Sequence, residues 1–287
     1  MALSLVARSG GTWFRSRHGR PEGLAAAARW LTAAVAVVWA LASTSSALAQ
    51  CFPIATAPAT VLPAAFQPAA LAAGTVRLTF LGHSSFLIES ARGATAITDF
   101  NGTILPPQTP DIVTMNNAHS SHYTDFVDPA VKHVLRGWDP DGGVALHDLQ
   151  LLDMHVRNVP TNVRDFGGVR TNGNSIFIFE VADMCIAHLG HLHHVLSDVH
   201  LGELGMVDVL LTPVDGSYTM AQELMVEVIR QIQPAVVIPM HYFTGSTLQR
   251  FASLLGDSYE IEVADVPSVL LSRDTLPYRK VLILPGS

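Results

Sequence analysis

Cysteine is almost absent from this chain, since only two of its 287 residues, Cys51 and Cys185, carry a thiol. A zinc site built on thiolates needs several cysteines at close spacing. Cys51 lies in a predicted tail and Cys185 lies within an apolar run, so the sequence argues against such a site. A disulfide between the two cysteines and two free thiols both agree with the sequence.

Long apolar runs are also missing. The apolar run near the N-terminus, Leu31 to Leu41, spans about 11–13 residues, which is short for a helix that crosses a bilayer. Five arginines precede this run, and Ala47-Leu48-Ala49 follows it. This arrangement predicts a secretory signal peptide over residues 1–50, and therefore a periplasmic or secreted protein with no stable membrane insertion after cleavage. An uncleaved anchor helix is the alternative.

Basic residues are fewer than acidic ones, 17 against 24. Residues 1–50 hold five of the basic residues and one of the acidic residues, so the rest of the chain has a net charge of −11 with neutral histidines. This charge disfavours nucleic acid or an anionic membrane surface as a partner. A small-molecule substrate is the expected partner, and the sequence assigns no oligomeric state.

The chain divides by composition. Residues 51–73 are rich in alanine and proline and predict a linker, whereas residues 74–287 predict one folded domain. Strands are predicted at 76–81, 84–89, 94–98, 111–115, 131–135, 144–146, 152–159, 175–181, 184–187, 207–212 and 235–240, and β structure returns in the last forty residues. Apolar spacing and capping predict two helices, Met220 to Ile232 and Ser246 to Leu255. Strands followed by mixed strand–helix units favour a layered α/β or α+β fold.

Histidine is the residue type that points to chemistry. Four of the 13 histidines fall within Cys185-Ile-Ala-His188-Leu-Gly-His191-Leu-His193-His194, which continues an apolar run. Imidazole is a common ligand of borderline metals and transfers protons near neutral pH. Strand ends are where α/β folds collect reactive groups. The segment therefore predicts a metal site, to which other strand ends must contribute.

Three further strand ends carry groups that can bind a metal. They are Leu81-Gly-His83, His119-Ser-Ser-His122-Tyr-Thr-Asp125 and Pro239-Met-His241. His119 and His122 are three residues apart, a spacing that allows both to face one ion in a tight turn. Asp125 would add an oxygen ligand. A set of nitrogen and oxygen ligands favours zinc, with manganese or iron as the alternatives.

Several segments together resemble the metallo-β-lactamase superfamily. The matching segments are Leu81-Gly-His-Ser-Ser-Phe-Leu-Ile-Glu89, Thr98-Asp99, Asp208-Val-Leu-Leu-Thr-Pro-Val-Asp-Gly-Ser-Tyr-Thr-Met220 and Ile238-Pro-Met-His-Tyr242. They are most similar to the branch that includes ascorbate-6-phosphate lactonase and N-acyl-phosphatidylethanolamine phospholipase D. The resemblance covers roughly Val76 to Phe251. It implies a four-layer αββα sandwich with one or two metal ions between the sheets at their edge.

The chain departs from this family at the metal ligands. Placed on Ser120 to Asp125, the family motif H-x-H-x-D-H retains only His122, so that His119 and Asp125 would have to replace lost histidines. The family's next histidine, in a V-P-x-x-H segment, falls on Val163 of Val159-Pro-Thr-Asn-Val163, and its bridging aspartate falls on His191. A neutral imidazole does not neutralise two cations as a bridging carboxylate does. The resemblance therefore favours a mononuclear or altered site built from His119 or His122, His191 and His241.

The resemblance implies a metal-dependent hydrolase that attacks an ester, lactone, amide or phosphodiester with activated water, and the predicted signal peptide makes it a secreted one. Asp125 or Asp215 would act as base or orient a ligating histidine, and His83 would donate a hydrogen bond near the site. Two other hypotheses stay open. One is a metal- or ligand-binding protein that keeps the fold without turnover, and the other is an interaction domain without metal.

Overall fold

Two β-sheets organise the part of the chain that the computed structural model describes, which comprises residues 60–62, 71–165 and 167–286. In chain order the strands are Thr60–Leu62 (β1), Thr75–Gly82 (β2), Ser85–Ser90 (β3), Thr95–Ile97 (β4), Ile112–Met115 (β5), His133–Arg136 (β6), Asp148–Leu151 (β7), Met154–Asp165 (β8), Gly168–Val181 (β9), Met184–His188 (β10), Val209–Pro213 (β11), Val236–Met240 (β12), Glu260–Val263 (β13), Ser268–Ser272 (β14) and Lys280–Ile283 (β15). The larger sheet has the order β1-β7-β8-β9-β10-β11-β12-β15-β13, and the smaller sheet has the order β14-β2-β3-β4-β5-β6.

Three α-helices accompany the sheets in the described residues: Asp198–Leu204 (α1), Gln222–Ile232 (α2) and Gly245–Leu255 (α3). The α2 and α3 helices lie where apolar spacing predicts them. The α1 helix was not predicted, because it is only seven residues long and Leu204 is its one buried residue. None of the described helices combines the length and apolarity that a membrane-spanning helix requires.

The main core lies between the two sheets. Val76 and Leu78 from the smaller sheet pack in one buried cluster with Phe177, Phe179 and Ile186 from the larger sheet. In β2 buried and half-buried residues alternate, whereas β10, β11 and β12 are buried throughout. Alternation is typical of a strand with one face in a core, and continuous burial is typical of a strand covered on both faces.

The outer faces of the two sheets are covered differently. Met225, Ile229 and Phe251 from α2 and α3 pack in a second core cluster against the larger sheet. On the smaller sheet, Met115 instead contacts loop residues such as Trp138. The loop between β4 and β5 contains a proline-rich stretch, residues 105–110, which disfavours helix. The predicted α/β fold with two facing sheets is confirmed, with loops rather than described helices forming this outer layer.

Some local predictions differ from the structure. The segment Val144 to Leu146 is not a strand, because it pairs with no neighbouring strand. Val144 and Leu146 are both exposed. The β8–β9 hairpin extends beyond the predicted strands, since Thr161 to Asp165 also pair with residues 168–174. This part of the hairpin has no alternating apolar pattern in the sequence, so it was not predicted. Thr60–Leu62 falls within the predicted linker and pairs with β7 in parallel. The predicted signal peptide, residues 1–50, lies outside the described residues.

Candidate metal centre

Three imidazoles from both sheets meet at one edge of the sandwich. His83 directly follows β2, His241 directly follows β12, and His122 lies in the loop after β5. The ring centroids are 4.4 Å apart for His83 and His241, and 5.2 Å apart for each of the other two pairs. One ring nitrogen from each histidine lies within 4.8 Å of the corresponding nitrogen of the others. We call these three residues the histidine triad.

The backbone turns sharply at two members of the triad. His83 has φ +52° and His241 has φ +54°, values that residues with side chains seldom adopt. The backbone N–H of His241 donates to the carbonyl oxygen of His83 at 2.7 Å, which ties the two sheets together at this point. Left-handed residues of this kind concentrate at functional sites, where the surrounding structure holds them in place.

Each triad imidazole uses its Nδ1 atom in a hydrogen bond to an oxygen. His122 Nδ1 donates to Asp99, His241 Nδ1 donates to Asp215 Oδ2 at 2.9 Å, and His83 Nδ1 donates to Ser84 Oγ at 2.8 Å. Ser84 Oγ in turn donates to Asp99 Oδ2 at 2.6 Å. These bonds fix the tautomers and leave the three Nε2 atoms for a ligand. Metal-binding histidines are held by such oxygen partners in most known sites.

Two carboxylates are kept ionised beneath the triad. Burial raises the pKa of Asp99, but the neighbouring His122 imidazole outweighs it and holds that pKa well below its usual range. Burial also raises the pKa of Asp215, but hydrogen bonds from His241 and Thr219 outweigh it. The Asp99 carboxylate likewise raises the pKa of His122 against the effect of burial. Two negative charges therefore stand directly behind the triad.

The triad fits a divalent metal ion. His122 Nε2 is buried and has no hydrogen-bond partner among the described residues, an arrangement that is costly without a ligand. Burial, followed by the nearby His241 and His122, lowers the pKa of His83 to about 4, so this imidazole is neutral near pH 7 and keeps its lone pair. Three nitrogen ligands with an open fourth position are the usual composition of a catalytic zinc site.

His191 lies beside the triad. Its ring centroid is 4.7 Å from that of His122 and 5.9 Å from that of His241. Its Nδ1 atom is buried without a hydrogen-bond partner in the described part of the chain, and burial, followed by His122, lowers its pKa to about 3. Gly190 at φ +59° and a bond from the His191 N–H to Asn174 Oδ1 at 2.8 Å hold its backbone. The predicted ligand His191 is therefore within reach of the site, as a neutral imidazole.

The other predicted site residues lie in different positions. His119 is exposed and its Nδ1 pairs with Ser121 Oγ at 2.7 Å, although its ring stacks at 5.8 Å on that of His191. The structure does not bring Asp125 to the imidazoles: its side chain is 70% exposed and pairs with Arg136. Asp215 is the carboxylate that orients His241. His83 belongs to the triad itself, rather than serving only as a hydrogen-bond donor nearby.

Sequence reasoning assigned no role to Asp99 and Ser84. Both lie within segments that carried the family resemblance, Asp99 in Thr98-Asp99 and Ser84 in Leu81 to Glu89. The available signal was a polar residue that directly follows an apolar strand, which is the same signal that selected the histidines. His188, in contrast, is satisfied within the core, because its Nε2 bonds the carbonyl oxygen of Ser84 and its Nδ1 accepts the N–H of Gly190.

Comparison with known proteins assigns the family. The sequence model described as the beta-lactamase superfamily domain matches residues 77–241, which is more than half of the chain and ends at the last triad histidine. This chain belongs to the beta-lactamase superfamily. The resemblance predicted from the sequence is confirmed at this level.

Individual relatives in the superfamily agree with this assignment. A Thermococcus kodakarensis protein named UPF0173 metal-dependent hydrolase is 26% identical over 215 residues, which cover 66% of this chain and 96% of that protein. A protein of the same name from Desulforamulus reducens is 27% identical over 196 residues, which cover 59% of this chain and 85% of that one. A Thermotoga maritima crystal structure, described as a member of the metallo-beta-lactamase superfamily, has a TM-score of 0.55 and 30% identity and covers 74% of this chain and 100% of its own.

Proposed function

We propose that the protein is a zinc-dependent hydrolase of neutral carboxylic esters or lactones, with His83, His122 and His241 as the metal ligands. The observation that supports this most strongly is the orientation of the triad, in which each Nδ1 is committed to an oxygen partner. The similar Thermococcus kodakarensis and Desulforamulus reducens proteins are named metal-dependent hydrolases, and the Thermotoga maritima structure is described as a candidate zinc-dependent hydrolase. Imidazole ligands agree with zinc, and also with iron.

A bound divalent ion would supply Lewis acidity, which polarises a carbonyl oxygen and makes water a stronger nucleophile near neutral pH. The chain's own residues hold the three Nε2 atoms at the sheet edge and keep protons on the Nδ1 atoms. His191 presents a fourth, neutral imidazole whose ring lies 4.7 Å from that of His122, where it can bind the same ion. Asp215 accepts the hydrogen bond from His241 Nδ1 and keeps that imidazole in its orientation.

Charge favours a neutral carbonyl substrate over a phosphate ester. The ionised Asp99 and Asp215 balance the two positive charges of one divalent ion. Besides burial, the groups that most strongly shift the pKa values of His119 and His122 are imidazoles and these two carboxylates. Phosphoryl groups are normally bound by additional cations. An ester or lactone carbonyl needs none.

Secretion is a further part of the proposal and rests on residues 1–50. The arginine-rich start, the short apolar run and Ala47-Leu48-Ala49 support a cleaved signal peptide. Sequencing the N-terminus of protein recovered from the periplasm or medium tests it, and we expect a start close to Cys51. Recovery of the uncleaved chain from the membrane fraction would favour the anchor helix instead.

Metal analysis and a substrate panel test the activity. The full chain, expressed in its host and purified without chelators, should contain about one equivalent of zinc. It should then hydrolyse simple esters or lactones faster than bis-p-nitrophenyl phosphate. A metal-loaded protein that hydrolyses none of these compounds would support the non-catalytic binding protein, and a metal-free protein that stays empty on addition of zinc would exclude both.

A further inference from the structure

Two exposed aromatic side chains stand beside the histidine triad. Phe243 is 58% exposed and Tyr218 is 65% exposed, and their rings meet edge to face with centroids 5.7 Å apart. The Phe243 ring lies 5.3 Å from that of His241 and 6.1 Å from that of His83. We call Tyr218 and Phe243 the aromatic pair. Single exposed apolar residues are ordinary, whereas these two are in contact and form a small apolar patch beside a polar site.

The backbone under the aromatic pair is held by the same groups that orient the triad. Asp215 Oδ1 accepts the backbone N–H groups of Ser217 at 2.8 Å and Tyr218 at 2.5 Å, while its Oδ2 accepts from His241. Phe243 is two residues beyond His241 and directly precedes Thr244, whose Oγ1 caps α3 by accepting the Thr247 N–H at 3.2 Å. The backbone that carries the aromatic pair is therefore held in place relative to the triad.

The chemistry of the aromatic pair selects the kind of group that it binds. Two ring surfaces gain most from contact with an apolar or planar group. A carbonyl held at the triad places its acyl substituent within reach of the Phe243 ring.

We infer that Tyr218 and Phe243 determine specificity by binding the apolar acyl or aryl group of the substrate, so that the preferred substrates are esters or lactones of aromatic or medium-chain acids. This inference rests on the proposed function. It goes beyond it by naming the residues that choose among esters.

Methyl esters test the inference, because their leaving group is the same small methanol in every case. We compare methyl acetate with methyl phenylacetate by acid release, using the zinc-loaded full chain and the variants Phe243→Ala, Phe243→Leu and Tyr218→Ala. Wild type should show a kcat/KM about tenfold higher for methyl phenylacetate, a ratio equivalent to about 1.4 kcal/mol. The ratio should approach one in Phe243→Ala and lie between these values in Phe243→Leu. An unchanged ratio in both Phe243→Ala and Tyr218→Ala would overturn the inference.

Tyr278→Ala is the matched control. Tyr278 is 81% exposed and lies just before β15. The first residue of β15, Lys280, pairs in parallel with Val236 at the start of β12, whereas His241 follows the end of β12. Tyr278 and His241 therefore lie at opposite ends of these strands. This variant should keep the wild-type ratio. Zinc content and thermal unfolding are measured for every variant, as controls that the metal centre and the fold are retained.

A binding measurement separates this inference from the proposed function. Calorimetric titration of the zinc-loaded chain with phenylacetate and with acetate needs no turnover. Phenylacetate should bind about tenfold more tightly than acetate, and Phe243→Ala should remove the difference. If no ester is hydrolysed but this difference is observed, the hydrolase proposal fails while the aromatic pair keeps its role. If esters are hydrolysed and phenylacetate shows no advantage, the inference fails alone.

Discussion

Replacing Asp215 by asparagine probes how the chain prepares a metal ligand. The carboxylate accepts five hydrogen bonds: three from the backbone N–H groups of residues 217–219, one from Thr219 Oγ1 and one from His241 Nδ1. An amide keeps one acceptor oxygen. If that oxygen stays with the three backbone groups, the new NH₂ group faces His241 Nδ1 and can only donate to it. The imidazole must then carry its proton on Nε2, which is the atom needed for the metal.

The size of the effect follows from this change of tautomer. Loss of an oxygen partner behind a metal-binding histidine typically weakens metal affinity 10- to 100-fold, which is about 1.4–2.8 kcal/mol. The metal-free protein also loses a charge-assisted bond in a buried position, at a cost of about 1–3 kcal/mol in the free energy of unfolding. Asp215→Asn should therefore lower both zinc affinity and stability.

Asp208→Asn separates the two effects. Asp208 is also buried; its Oδ2 accepts the N–H of Cys185 at 2.8 Å, and its Oδ1 pairs with Arg273 at 2.7 Å. It precedes β11, whereas Asp215 follows that strand, so the two carboxylates lie at opposite edges of the sheet. We expect Asp208→Asn to lower the free energy of unfolding by a similar amount and to leave zinc affinity unchanged. Zinc is measured by competition with a chromophoric chelator, and stability by urea unfolding. If Asp215→Asn binds zinc as tightly as wild type, the tautomer argument is refuted.

Two further predictions concern the stability of the fold, one at His155 and one at Gly190. His155 lies between Glu180 and Asp148, and the hydrogen bonds to these two carboxylates raise its pKa. The protonated His155 therefore contributes to the free energy of unfolding in full below about pH 6.5, and this contribution is lost as pH rises through the higher folded-state pKa. In urea titrations, the deficit of His155→Gln relative to wild type should shrink between about pH 5.5 and about pH 8.5, and a constant deficit would contradict this. Gly190 has φ +59°, and in Gly190→Ala the new Cβ would lie 2.5–2.6 Å from atoms of two asparagine side chains. We expect this variant to lose at least about 2 kcal/mol in the free energy of unfolding. Gly142→Ala, at φ +83° and with nothing near its Cβ, should lose less. Equal losses for the two glycine variants would refute the packing argument.

The central strands and the two longer helices could be predicted from the sequence because burial imposes a periodic pattern. Ile186 and Val209 belong to continuously apolar strands, and Met225 and Ile229 repeat at helical spacing. The outer half of the β8–β9 hairpin could not be predicted. Its pairing is made by backbone groups, and its exposed side chains follow no pattern that separates a strand from a loop.

The candidate site was predicted only in part, for a geometric reason. A sequence shows which strand ends carry imidazoles, but ring directions depend on turns such as those at His83 and His241, both with positive φ. These turns bring His83 into the triad, whereas His119, three residues before His122, points to solvent. The partner of His122 is Asp99, which is 23 residues away in sequence. Such pairs are set by the packing of strands, which spacing along the chain does not reveal.

The most direct test of the metal centre is the number of zinc equivalents bound per chain in wild type and in four single variants: His83→Ala, His122→Ala, His241→Ala and His119→Ala. Each protein is loaded with excess zinc, desalted and analysed by atomic emission, with circular dichroism as the control for folding. The account predicts about one equivalent in wild type and in His119→Ala, and less than about a tenth of an equivalent in each triad variant. Full zinc content in His122→Ala and His241→Ala would contradict it.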